Sequence, residues 1–337
     1  MTFDILNPGG RDPDQSFPNA AGSPRDPNHP PVNYHGYAAC LGGHFRRKAA
    51  ACNPGVVLIL LRKRNLRDAR HALRELKSRG ATVLVSCKES GSHQIAELFG
   101  DPKRWLLFCE LCCEADGALS STPELTSLYL GAGAKSVEFL PTPYPLESPA
   151  WNFSKPLPSR AGIFIGTREF DVPSRNHLQA VALANRLSLE LACPVTVVNS
   201  EGRRGKAMLA PFQNANPKLR VMDSRPYPSY LEEMSAHRLV WQLDSSAVPG
   251  QVAGDALLCR MPCLGGNGAV DRLAFPDFSG PVSRETLLEK ARTFILDDWE
   301  WQKALDLAVQ NGLNQLGFCV VAKKLEAFLG RLVGGRQ

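Results

Sequence analysis

Gly265, Gly266, Asn267 and Gly268 follow the short apolar stretch Pro262 to Leu264 and precede Ala269-Val270-Asp271-Arg272, which starts like a helix. Glycines let backbone amides approach phosphate oxygens closely, and a helix N-terminus behind them adds favourable partial charge. At the carboxyl end of a strand, such a loop lies where open α/β sheets bind ligands. Asp244 ends the strand-like run Leu239 to Leu243, and either offers a polar group to a ligand or caps the turn that follows. Gln251 stands just before, and Asp255 within, the helical run Val252 to Leu258.

Other chemistries find less support. Cys109, Cys112 and Cys113 contain one CxxC, half a zinc site, and no second CxxC or paired HxxxH completes it. His44 and His237 carry a general-base side chain, but nothing in the sequence ranks either above a structural role. A Gly-x-Ser-x-Gly, a P-loop and a dinucleotide GxGxxG are all absent, which argues against hydrolase, NTPase and dehydrogenase readings.

These residues need strands and helices to hold them. Val56 to Leu61 is a β-branched-rich apolar run that predicts a buried parallel strand, and Leu66, Ala69, Leu73 and Leu76 recur at helical spacing up to Gly80. Ala81 to Ser86 is the next strand, completing a βαβ unit. Ile95 to Glu114 predicts helix with a break at Asp101-Pro102, and Val137 to Leu140 another strand. Six prolines between Pro141 and Pro158 mark an interdomain linker. The rhythm restarts with strand Ala161 to Ile165, helix Asn176 to Leu191 and strand Val195 to Val198, and ends in helices from Arg284 onward. The fold class is thus α/β, with two Rossmann-like domains and a C-terminal helical tail.

The bulk composition agrees. A chain of 337 residues suits two cores, and 44% apolar with 21% charged residues is ordinary for a globular protein. No apolar run approaches the roughly 20 residues of a membrane helix, and no basic segment precedes an apolar one near Met1. Ten cysteines inside mostly apolar segments predict reduced, buried thiols. The net charge of +6 concentrates in Arg62 to Arg79 alongside Asp68 and Glu75, a solvated helix face rather than a nucleic-acid surface. Residues 1–32, rich in Pro, Gly, Asn and Asp, predict a disordered leader. The expected organisation is an N-terminal domain over 33–145, a linker over 146–160, a C-terminal domain over 161–312 and a helix over 313–337.

Several segments resemble retaining, nucleotide-sugar-dependent glycosyltransferases of the GT-B architecture over about residues 34–330. Ala115 to Leu125 (ADGALSSTPEL) resembles that family's stretch near the end of its first domain, and Leu140-Pro141-Thr142-Pro143 its linker start. Ile163 to Arg168 resembles the first strand and loop of its nucleotide domain, and Ser174-Arg175-Asn176 falls where the family often has Lys-Asn. Asp244 to Pro262 resembles its donor-binding turn and helix, where two glutamates eight positions apart hold sugar and ribose. Here the motif is degenerate: Asp255 stands at the second position and Ala247 at the first.

The resemblance implies a transferase of polysaccharide biosynthesis, cytoplasmic or membrane-peripheral, that takes a sugar from a UDP- or GDP-linked donor, without metal or other cofactor. Arg168 and Arg175 would neutralise the diphosphate leaving group, unless both are simply surface arginines. Asp255 would hold the ribose, Asp244 or Gln251 would replace the missing glutamate, and Gly265 to Gly268 would hold sugar or phosphate. Gly42-Gly43 is either a first-domain loop facing the donor phosphates or an ordinary turn. The partners implied are a nucleotide sugar and a glycan or lipid-linked acceptor, with no nucleic acid and a membrane surface met through the basic helix. The alternative is a non-catalytic GT-B-like sugar-nucleotide sensor or scaffold.

Overall fold

The computed structural model describes residues 2–26, 29–166 and 169–334. Phe3–Leu6 forms the first strand, β1, with all four residues buried, and it pairs in parallel on both sides. The expected disordered leader is corrected here: part of it is an interior strand. A composition averaged over that segment hides a four-residue apolar run behind the polar loop after it. Such a run becomes a strand only because neighbours supply its backbone hydrogen bonds.

The chain continues through β2 (Gln15–Ser16), α1 (Tyr34–Cys40), β3 (His44–Arg46), β4 (Val56–Leu61) and α2 (Leu66–Ser78). Then follow β5 (Thr82–Cys87), α3 (Ser92–Phe99), α4 (Pro102–Glu114), β6 (Gly117–Ser120), α5 (Glu124–Gly131) and β7 (Val137–Phe139). All six side chains of β4 and of β5 are buried, as strands covered on both faces require. The break expected at Asp101-Pro102 is present: the Asp101 carboxylate accepts from the Lys103 amide at 3.0 Å, and Pro102 opens α4. Among the described residues the strands order β2-β3-β1-β4-β5-β6-β7, parallel except for β2 against β3. Chain order reverses between β1 and β4, the crevice where doubly wound sheets take ligands.

The second half restarts with β8 (Ile163–Ile165), α6 (His177–Leu191), β9 (Val195–Asn199), α7 (Gly202–Ala215), β10 (Leu219–Asp223) and α8 (Tyr227–Met234). It proceeds through β11 (Leu239–Trp241), α9 (Gln251–Leu258), β12 (Cys263–Leu264), α10 (Ala269–Ala274) and α11 (Arg284–Leu296). It ends in α12 (Asp298–Gln315) and α13 (Phe318–Gly334). These strands order β10-β9-β8-β11-β12, all parallel, with the reversal between β8 and β11. Each half is a Rossmann-like domain.

The chain divides into two compact units, Met1–Ala150 with Ala247–Pro249 and Gln315–Gln337, and Trp151–Ser246 with Gly250–Asn314. The division departs from the sequence expectation at the carboxyl end. Phe318, Val321, Leu325, Phe328 and Leu329 of α13 share a core with Tyr34 and Tyr37 of α1 and the inner residues of β1 and β4. The expected tail is therefore a structural layer of the first unit.

Candidate functional site

Asp244 follows β11, at the point where strand order reverses in the second sheet. Its Oδ1 accepts from the Ser246 amide at 2.8 Å, which folds the chain into the turn expected of an Asp at a strand end. Its Oδ2 accepts from Nη1 of Arg175, whose Nε donates to Glu169 at 2.7 Å. Burial pulls the Arg175 pKa down, but the two carboxylates outweigh it and the net shift is upward. Asp244 thus caps the turn, the second of the two roles foreseen for it, and Arg175 already carries two anionic partners.

Below this pair lies a cavity of about 330 Å³ whose wall includes Asn176, Asp244, Ser245, Gly265, Asn267 and Arg284. Three residues singled out in the sequence, Asp244, Gly265 and Asn267, therefore meet at one place. Asn267 is tied to it by a bond from its Nδ2 to the Ser245 carbonyl at 3.1 Å. Gly265 turns the chain at φ 86°, and its amide donates to the Phe278 carbonyl at 2.8 Å. The amides of Gly266 and Asn267 have no acceptor among the described residues, so they remain able to meet an anion. Exposed Arg284 opens α11 on the same wall and forms no ion pair among the described residues.

The residue that sequence reasoning passed over is Asp271. It is 2% exposed and stands at the third position of α10, where its carboxylate reaches back to the Gly268 amide. Its Oδ1 also accepts from Gln242 Nε2 at 2.6 Å. The carboxylate fits because three glycines surround it. A Cβ at Gly250 would stand 2.6 Å, and one at Gly268 2.5 Å, from Oδ2, while one at Gly266 would collide with Oδ1. Burial first, and then the negative charge of Asp244, raise its pKa to about 7. The glycine-rich loop thus has a structural purpose alongside the expected one: it wraps a buried acid.

The remaining site expectations separate. Asp255 is fully buried, outside the cavity wall, and its Oδ1 accepts from the Tyr227 hydroxyl at 2.5 Å. Gln251 is the first residue of α9 and is also outside that wall. Arg168 lies outside the described residues. Gly42-Gly43 forms a turn, the second of its two readings: Gly42 at φ 64° and the Gly43 amide bonded to the Ala38 carbonyl close α1, and a Cβ at Gly43 would strike the Phe3 carbonyl. The pair precedes β3, at the amino edge of its sheet. His237 is buried against Thr196, with its pKa pulled down to about 4 by burial, and His44 bonds Ser16 across an edge pair.

In the first unit, the loop at the order reversal is Asn7-Pro8-Gly9-Gly10, directly after β1. Gly9 adopts φ 66°, Asn7 is fully buried with Oδ1 lacking a partner, and Lys88 bonds Asp12 at 2.7 Å beside it. The signal in the sequence is a Pro-Gly-Gly after the apolar run FDIL, which the polar composition of the surrounding segment masks.

No protein-family model matches the chain, and no curated protein matches it. Solved structures do resemble it. A sucrose-phosphate synthase from Thermosynechococcus elongatus matches with a TM-score of 0.66 at 13% identity, covering 99% of this chain and 100% of its own. HepE from Anabaena in complex with UDP gives 0.64 at 11% identity, covering 98% and 100%. The lipopolysaccharide outer core galactosyltransferase WaaB gives 0.60 at 10% identity, covering 98% and 99%. These likenesses establish the fold as that of GT-B glycosyltransferases, two Rossmann-like domains in one chain.

Proposed function

We propose that the protein is a glycosyltransferase that takes a sugar from a nucleotide diphosphate donor held by the second unit and passes it to a glycan or lipid-linked acceptor. The observation that carries this reading is the meeting of Asp244, Gly265 and Asn267 at a cavity beside the order reversal of the second sheet. Support comes from the fold, since the HepE structure was obtained with UDP. In this reading the amides of Gly266 and Asn267 meet donor oxygens. Arg175 turns from Asp244 toward the leaving diphosphate as charge develops there.

The test is to incubate the purified protein with UDP- and GDP-sugars and measure nucleotide release, with and without a cell-envelope acceptor fraction. Release that depends on acceptor supports transfer, and absence of donor binding at millimolar concentration overturns it. A second reading, a non-catalytic GT-B-like sensor or scaffold, is favoured by the pairing of Arg175 with Asp244 and by Ala247 at the first motif position. Donor binding without release or transfer would support it.

A further inference from the structure

A second cavity, of about 610 Å³, opens at the opposite edge of the second sheet. Arg160 stands three residues before β8 and Arg260 three before β12, and both line it, whereas Asp244 and Gly265 follow their strands. Arg160 is 5% exposed. Its Nε donates to the Lys155 carbonyl at 2.8 Å and its Nη2 to the Cys259 carbonyl at 3.0 Å, while the guanidinium carbon lies 5.4 Å from the centre of the Trp301 ring. Among the described residues its Nη1 is buried with no hydrogen-bond partner, and no carboxylate pairs with it. Desolvation draws its pKa down to about 10.

A guanidinium held by two neutral carbonyls and one aromatic face keeps its full charge in a region of low dielectric, with one donor group unused. Arg260 and Lys155 add positive charge on the same wall. The carboxylate on that wall, Asp306, is engaged through Oδ1 by Gln302 Nε2 at 2.7 Å. Facing these cations, α12 presents Trp301, Leu305, Val309 and Leu313, four apolar residues spaced four apart along one stripe. The cavity thus has a cationic end and an apolar side, within the size range of small-molecule sites.

We propose that this cavity binds an amphipathic oxyanion, a phosphate monoester or carboxylate carrying an apolar chain or ring. The head group lies against the cationic end formed by Arg160, Arg260 and Lys155, and the body lies along the Trp301 to Leu313 stripe. The site is separate from the donor cavity and does not depend on the transferase reading.

Calorimetric titration with octyl phosphate, octanoate, inorganic phosphate and octanol, below any micelle concentration, tests it. One octyl phosphate or octanoate should bind per chain at least tenfold more tightly than octanol, which lacks the charge, and inorganic phosphate, which lacks the chain. Tighter binding of one of the two anions assigns the head group. Arg160→Gln should weaken binding at least tenfold while leaving UDP affinity unchanged. Should Arg160→Gln fail to fold for want of its carbonyl contacts, Arg260→Gln and Val309→Glu decide, the latter placing a carboxylate on the apolar wall. Octanol binding as tightly as the anions, no binding at millimolar concentration, or unchanged affinity in both fallback variants would overturn the proposal.

Discussion

Asp271 and its three glycines show a residue type dictated by its neighbours. A methyl group at Gly266 would occupy the space of Asp271 Oδ1, and the carboxylate is fixed by Gln242 and the Gly268 amide. Gly266→Ala should therefore destabilise the second unit by about 1–3 kcal/mol, measured by denaturant unfolding. The raised pKa has a definite sign. The unfolded acid ionises near its ordinary value while the folded one holds its proton to about pH 7, so its contribution is fully present at low pH and is lost as pH rises between those values. Stability against pH should show that fall, and Asp271→Asn should remove it. The pairing of Arg175 yields a third expectation. Asp244→Asn relieves the cation of one carboxylate, so UDP should bind several-fold more tightly to the variant in calorimetry. An unchanged affinity would mean that Arg175 does not meet the diphosphate.

At the scale of elements, α2 and α13 carry the main lessons. The sequence of the basic helix α2 predicts a solvated face, with a membrane surface as the alternative. On that solvated face Arg70, Arg74 and Lys77 pair with Glu110, Glu114 and Asp116, so part of its charge is answered within the first unit. Its buried Leu66, Ala69, Leu73 and Leu76 were legible because they repeat at helical spacing. Helix α13 was also legible as a helix, but its partner was not, because periodicity names the apolar face and not the surface that covers it. Five of its side chains complete the core over β1 and β4. Ending the chain before Phe318 should expose that face and lower the stability of the first unit by several kcal/mol, read as early protease cleavage within 34–61.

Across the whole molecule, both ends of the chain build the first unit, β1 as an interior strand and α13 as a covering layer. Removing residues 2–16 should yield insoluble protein, because it withdraws the strand that bonds both β3 and β4. A deletion that left a soluble, cooperatively folding protein would show that β1 is dispensable. No helix among the described residues is long and apolar enough to cross a membrane.

The sequence by itself determined the alternation of strands and helices, the break before α4, the two Rossmann-like domains and the loops that reach the cavity beside Asp244. These follow from local periodicity, turn chemistry and caps, which each segment carries within itself. Only the tertiary structure decided that Phe3–Leu6 is a strand, that α13 belongs to the first unit, that Asp255 is buried against the Tyr227 hydroxyl, and that Arg160 is buried with no carboxylate paired to it among the described residues. Each of these depends on which distant residue comes to lie alongside. Strand pairing, burial and the electrostatics of a charge removed from water arise from contacts far apart in the chain, and no local pattern encodes them.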